Sequence, residues 1–172
     1  MKAILDWCRF AVRGFAAVEF AIALPILMLF LAGVSDFGII YYRQSCLSTA
    51  IAAGAEYAML TDIRNEQSSG PALTVANIQT VMVNAAAQSM PNITVSAVAT
   101  DPTLCYCMTG SSPNSTLTAA ATCTSTCASG AAPTRYVELT VTHLYTPLLP
   151  LYSMLNANGT TRLTKTAWVP LQ

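Results

Sequence analysis

Phe20-Ala21-Ile22-Ala23-Leu24-Pro25-Ile26-Leu27-Met28-Leu29-Phe30-Leu31-Ala32-Gly33-Val34 runs for fifteen residues without a charge or a strongly polar side chain. That is just short of the ~17–25 residues a membrane-spanning helix needs. Past Ser35 and Asp36 the apolar character resumes with Phe37-Gly38-Ile39-Ile40-Tyr41-Tyr42. One spanning helix over residues 15–42 therefore accounts for the whole stretch, with Asp36 near the outer interface and Tyr41, Tyr42 and Arg43 as an interfacial girdle. Pro25 removes one backbone hydrogen bond, which a membrane helix tolerates with a kink. Lys2, Arg9 and Arg13 precede the run, opposed only by Asp6. The positive-inside bias then leaves the N-terminus in the cytoplasm and residues 43–172 outside.

A secretory signal peptide is the competing reading. Its best cleavage site, Gly33-Val34-Ser35, lacks the A-x-A pattern, and Glu19 and Pro25 lie beside and inside the apolar core. Glu19 separates the readings further. A carboxylate carried to the bilayer centre costs roughly 2.5–3.5 kcal/mol, and a plain anchor has no use for one. Its plainer role is a carboxylate resting at the cytoplasmic headgroup level.

Arg13-Gly14-Phe15-Ala16-Ala17-Val18-Glu19-Phe20 resembles the type IVb prepilin signature. In that family a peptidase cuts after a glycine, leaving an acidic residue fifth and an aromatic residue sixth in the mature chain. Gly14, Glu19 and Phe20 occupy those positions. Ala21-Ile22-Ala23-Leu24-Pro25-Ile26-Leu27 is similar to the A-x-x-L-P-x-L stretch of the TadE-like pseudopilins of tight-adherence (Flp-type) pili. Asp36-Phe37-Gly38 stands where those proteins often carry an acidic-Phe-Gly triplet, and Thr146-Pro147-Leu148-Leu149-Pro150 adds to the likeness. The leader departs from the pattern in having few basic residues and its own Cys8.

The resemblance implies a leader over residues 1–14, processing between Gly14 and Phe15, and assembly roles for Glu19 and Phe20. It implies residence in a bacterial inner membrane, with the C-terminal domain periplasmic or extracellular. The partners it implies are a prepilin peptidase, other pilins and pseudopilins, the inner-membrane pilus assembly platform and membrane lipid. Major pilins of this system are much shorter, so a minor pseudopilin in pilus assembly, adherence and biofilm formation is the expectation. The alternative is a membrane-tethered extracytoplasmic binding module that never enters a pilus.

Composition fits one domain: 172 residues, 53% apolar and 9% charged, against roughly 45–50% and 25% in a soluble domain. Eight basic and eight acidic residues cancel, so no net field draws nucleic acid. Ile40, Leu47, Ile51, Ala55 and Met59 keep one apolar stripe going beyond the bilayer. A helix from Phe15 to Leu60 would measure about 69 Å, roughly twice a bilayer, so its outer half must pack on something. Asp62 to Pro71, with Gly70-Pro71, reads as a polar break. Thr74 can cap a second helix with Val75, Ile78, Val81, Met82 and Ala85 on one face. Strands are expected over Asn92–Thr100, over Arg135–Tyr145 with Val137, Leu139 and Val141 inward and Glu138, Thr140 and Thr142 outward, and over Leu163–Val169 after the Asn158-Gly159 turn. The fold class is α+β, a long N-terminal helix packed against a small antiparallel sheet with a disulfide-rich loop.

Cys105, Cys107, Cys123 and Cys127 fall within one 23-residue window around a Ser/Thr/Ala-rich loop. Cys105-x-Cys107 is too tight for a zinc pair, and an oxidising exterior favours two disulfides over metal. Four cysteines permit three connectivities, and all three stay open. Cys46 reads as a small buried apolar residue. His143, the one histidine, lies in an expected strand and reads as structural. No nucleophile elbow, phosphate loop, zinc-protease motif or paired carboxylate occurs, so neither an enzyme nor a bound cofactor or metal is expected. Three N-x-[ST] sequences carry no weight in a bacterial chain.

Overall fold

The computed structural model describes residues 2–66, 72–110, 116–120, 122–147 and 159–171, with side chains from Ala17 onward except that of Glu66. The Gly70-Pro71 break, Leu148-Leu149-Pro150, Asn158 and the side chains of Gly14, Phe15 and the leader lie outside this description. The chain divides into two units, one containing the N-terminal helix to Tyr41, the other formed by Tyr42–Tyr145 and Thr160–Gln172.

Helix α1 spans Lys2–Glu66 and includes Pro25. It outlasts the break expected at Asp62, because Asp62 is used inside the fold. Asp62 is buried, 3% exposed, and its carboxylate meets the Arg135 guanidinium at 3.1 Å through each oxygen. Helix α2, Val75–Ser89, starts where Thr74 accepts a hydrogen bond from the Asn77 amide, and buries Ile78, Met82 and Ala86. Met90 caps it ahead of Pro91, and Asn92 takes a left-handed conformation, φ 65°. Asparagine tolerates that region better than most residues.

Five antiparallel strands follow: β1 Val95–Ala99, β2 Cys105–Thr109, β3 Thr116–Ala119, β4 Thr134–Tyr145 and β5 Thr161–Pro170. β4 is the hub. One edge pairs with β5 along its length, and the other pairs with β2 at Thr134–Arg135 and with β1 at Leu139–His143. Val137, Leu139, Val141, His143 and Tyr145 alternate inward and are buried, with Leu163 and Val169 of β5 beside them. Lys165 sits opposite Val141 and is half-buried on this same side.

Two expectations need correction. The cysteine loop contains the hairpin β2–β3, whose Thr and aromatic residues favour extended backbone. Thr140 and Thr142 are half-buried rather than solvated, because their hydroxyls pair with Thr166 at 3.1 Å and Thr164 at 3.3 Å across β4 and β5. Just before β2, the exposed Asp101 carboxylate accepts from the Thr103 hydroxyl at 2.7 Å and its amide at 2.9 Å. These bonds hold the Asp101 carboxyl below the ordinary carboxylate range.

The stripe on α1 also differs. Leu47 and Ile51 are buried, but Ala55 is half-buried and Met59 40% exposed; Cys46, Ala50, Gly54, Ala58 and Thr61 complete the buried face instead. Each step of four residues overshoots a full turn by about 40°. The row begun at Leu47, near the centre of that face, therefore walks off it, while the row begun at Cys46 crosses it. Gly54 is a place where only glycine fits without a shift. A Cβ there would lie 2.5 Å from Met82 Cγ and 3.5 Å from Leu139 Cδ1.

Candidate functional site

Between Phe20 and Val34 the helix is apolar all round. Phe20, Ile22, Ile26, Met28, Leu29 and Phe30 each keep more than half of their surface exposed, and together they cover every side. Such a helix is stable only where lipid or other helices replace water around it. The Ala17–Asn65 part of α1 contains a window long and apolar enough to cross a membrane. Ser35 returns its hydroxyl to the Leu31 carbonyl at 2.8 Å, which satisfies its only strong donor within the helix. Asp36 is 5% exposed and engaged, while Phe37 beside it is 67% exposed.

Of the residues singled out in sequence, Glu19 and Phe20 are both exposed on this helix, and among the described residues Glu19 has no ion-pair partner. Gly14 and Phe15 fall within the span of α1. A protease takes its substrate extended, so a cut here requires the helix to open locally. Glycine lowers that cost by roughly 0.5–1 kcal/mol relative to alanine.

The exposed region beyond Tyr42 is tied down at three points that the sequence did not reveal. Arg43 donates from Nη1 to His143 Nε2 at 2.8 Å, and its guanidinium lies 4.6 Å over the Tyr145 ring. His143 Nδ1 lies 3.0 Å from the Thr94 carbonyl. A carbonyl only accepts and a guanidinium only donates, so His143 is the Nδ1–H tautomer, with both nitrogens satisfied. Arg43 is therefore committed to the sheet rather than to a headgroup girdle. Tyr42 donates its hydroxyl to the Ser89 carbonyl at 3.1 Å, and the Asp62–Arg135 pair is the third tie. Partners 100 and 73 residues apart leave no trace in local spacing. The only available signal was a lone histidine in a strand otherwise alternating aliphatic and polar.

The four clustered cysteines form Cys105–Cys123 and Cys107–Cys127, one of the three open connectivities. Cys105 and Cys107 lie two apart on β2, so both sulfurs leave the same face. Cys46 is free and buried. Among the described residues, no group of three or more His, Cys, Asp or Glu is placed to hold a metal ion.

The family model described as TadE-like protein matches residues 14–56. That segment begins at the glycine of the expected cut and ends in the buried part of α1. No curated protein and no solved structure matches the chain. The likeness covers residues 14–56 of α1, and the remainder stands on its own geometry.

Proposed function

We propose that this TadE-like chain is a minor pseudopilin, a non-catalytic subunit of a tight-adherence pilus, processed after Gly14 and held in the bacterial inner membrane until assembly. The observation that carries this reading is the helix whose Phe20–Val34 run exposes apolar side chains on every side, with one carboxylate, Glu19, between that run and the expected cut. The N-terminus faces the cytoplasm, and the domain from residue 43 onward is extracytoplasmic.

Cleavage frees the Phe15 amine, which is cationic near neutral pH. Moving that amine among packed apolar helices is costly unless an opposite charge accompanies it. Glu19, four residues along a helix, supplies it within one chain, or to the amine of a neighbouring subunit. Either charge left alone is penalised, so the pair sets register as subunits leave lipid for the fibre. The other subunits, the assembly platform and the peptidase are the partners this mechanism needs.

Mass spectrometry of the mature N-terminus should find Phe15 first, and Gly14→Val should accumulate the longer form. Glu19→Val should insert normally but fail to co-purify with pili. A mature chain that keeps Met1, together with wild-type piliation by Glu19→Val, would leave only a tethered binding module.

A further inference from the structure

Side chains alternate across β4 and β5, so Tyr136, Glu138, Thr140 and Thr142 share the face opposite the buried Val137, Leu139 and Val141. Their partners on β5 are Pro170, Trp168, Thr166 and Thr164. Tyr106 and Met108 of β2 extend this outer face, because Tyr106 pairs with Thr134 while the cysteines take the other side. Three rings meet here nearly at right angles. Tyr106 lies 5.1 Å from Trp168 at 72° and 6.5 Å from Tyr136 at 83°. Trp168 keeps 39% of its surface exposed. Tyr136 and Trp168, with Met108, Thr116 and Leu117, line an open cavity of about 490 Å³.

Glu138 stands directly opposite Trp168, which places their Cβ atoms about 4.5–5.5 Å apart. Among the described residues its carboxylate has no hydrogen-bond or ion-pair partner. Among the described residues no cation pairs with it. Arg135 faces inward to Asp62, Lys165 lies on the inner side, and Arg162 pairs with Leu144, six residues and roughly 20 Å along β5 from Trp168. Exposed ring faces attract a cation, and a free carboxylate beside them attracts the same ligand. A planar guanidinium satisfies both, stacking on the indole while giving paired hydrogen bonds to the carboxylate. A quaternary ammonium has no proton to give Glu138, and a neutral sugar leaves its charge uncompensated.

We infer that the Tyr106–Tyr136–Trp168 corner and Glu138 form a docking notch for an arginine side chain projecting from a partner protein. This assignment holds whether or not the chain enters a fibre. The test uses the full chain in lipid nanodiscs with Trp7→Phe, which leaves Trp168 as the only indole. The probe is a blocked Gly-Arg-Gly peptide, with its citrulline isostere and tetramethylammonium as controls. The arginine peptide should change Trp168 emission saturably, and the neutral citrulline peptide should bind at least about tenfold more weakly. Glu138→Gln, which keeps size and removes charge, should weaken the arginine peptide by about the same factor. Equal titration by the arginine and citrulline peptides, no saturable change, unaltered affinity in Glu138→Gln, or tighter binding of tetramethylammonium would each overturn the assignment.

Discussion

Position 54 has no room for a side chain. Its Cβ would meet Met82 Cγ at 2.5 Å and Sδ at 2.9 Å, and Met82 is itself fully buried. Alanine would gain about 1 kcal/mol of helix propensity there, against an overpacking cost of typically 1–3 kcal/mol. Gly54→Val adds more atoms without the same propensity, so it should destabilise by about 1–3 kcal/mol. Urea unfolding in detergent measures the loss, and Met82→Ala in the same chain should recover part of it. Unchanged stability in Gly54→Val would mean that α1 and α2 do not approach this closely. The residue scale was only partly legible in sequence. A glycine among Ala50, Ala52, Ala53 and Ala55 looks like an ordinary small residue. Its constraint comes from Met82 and Leu139, which lie far along the chain. Arg43 was read as a headgroup residue for the same reason, since His143 and Tyr145 become its neighbours only once the sheet exists.

Among the elements, strands and helices declared by periodicity were legible. β4 alternates cleanly, and α2 carries its cap and buried face in local order. The hairpin β2–β3 was hidden because cysteines, threonines and alanines make a weak pattern and its strands are short. Both disulfides close around it, with sequence separations of 18 and 20. They staple the hairpin and the following loop to each other, and neither links this module to α1 or α2. Cys107→Ser with Cys127→Ser should therefore cost about 2–4 kcal/mol, felt mainly by protease resistance between Cys105 and Ala131. Peptide mapping without reductant should recover Cys105–Cys123 and Cys107–Cys127, with Cys46 alkylated only after unfolding. A Cys105–Cys127 peptide from freshly purified chain would show that this pairing is wrong. The exposed Asp101 turn adds a weak pH dependence. Its folded-state value is lowered, so its contribution is present above the unfolded carboxylate value and fades as pH falls through the folded one.

For the whole molecule, the α+β class was legible because an uninterrupted apolar run and an alternating C-terminal half belong to different periods. What covers the buried face of α1 was not, since that depends on long-range pairing. The proposed sidedness rests on charge alone. A phosphatase that folds only in an oxidising compartment, fused after Gln172, should be active, and a cytoplasmic reporter at the same place silent. The opposite pattern would invert the proposed topology. The central place of β4 has a further consequence, in time rather than in space. β1, β2 and β5 all pair with this one strand, and Gly54, Arg43 and Asp62 of α1 all reach residues on it. The ribosome makes it late. The stretch from Glu66 to Tyr145 takes on the order of several seconds to synthesise at roughly 5–20 residues per second. Until then the helix has left the ribosome with the Cys46–Ala58 face uncovered, and neither β1 nor the hairpin has an edge to join. The sheet cannot be finished piecemeal, so a nascent chain stalled before Tyr145 offers quality-control proteases a long helix and an unpaired tail.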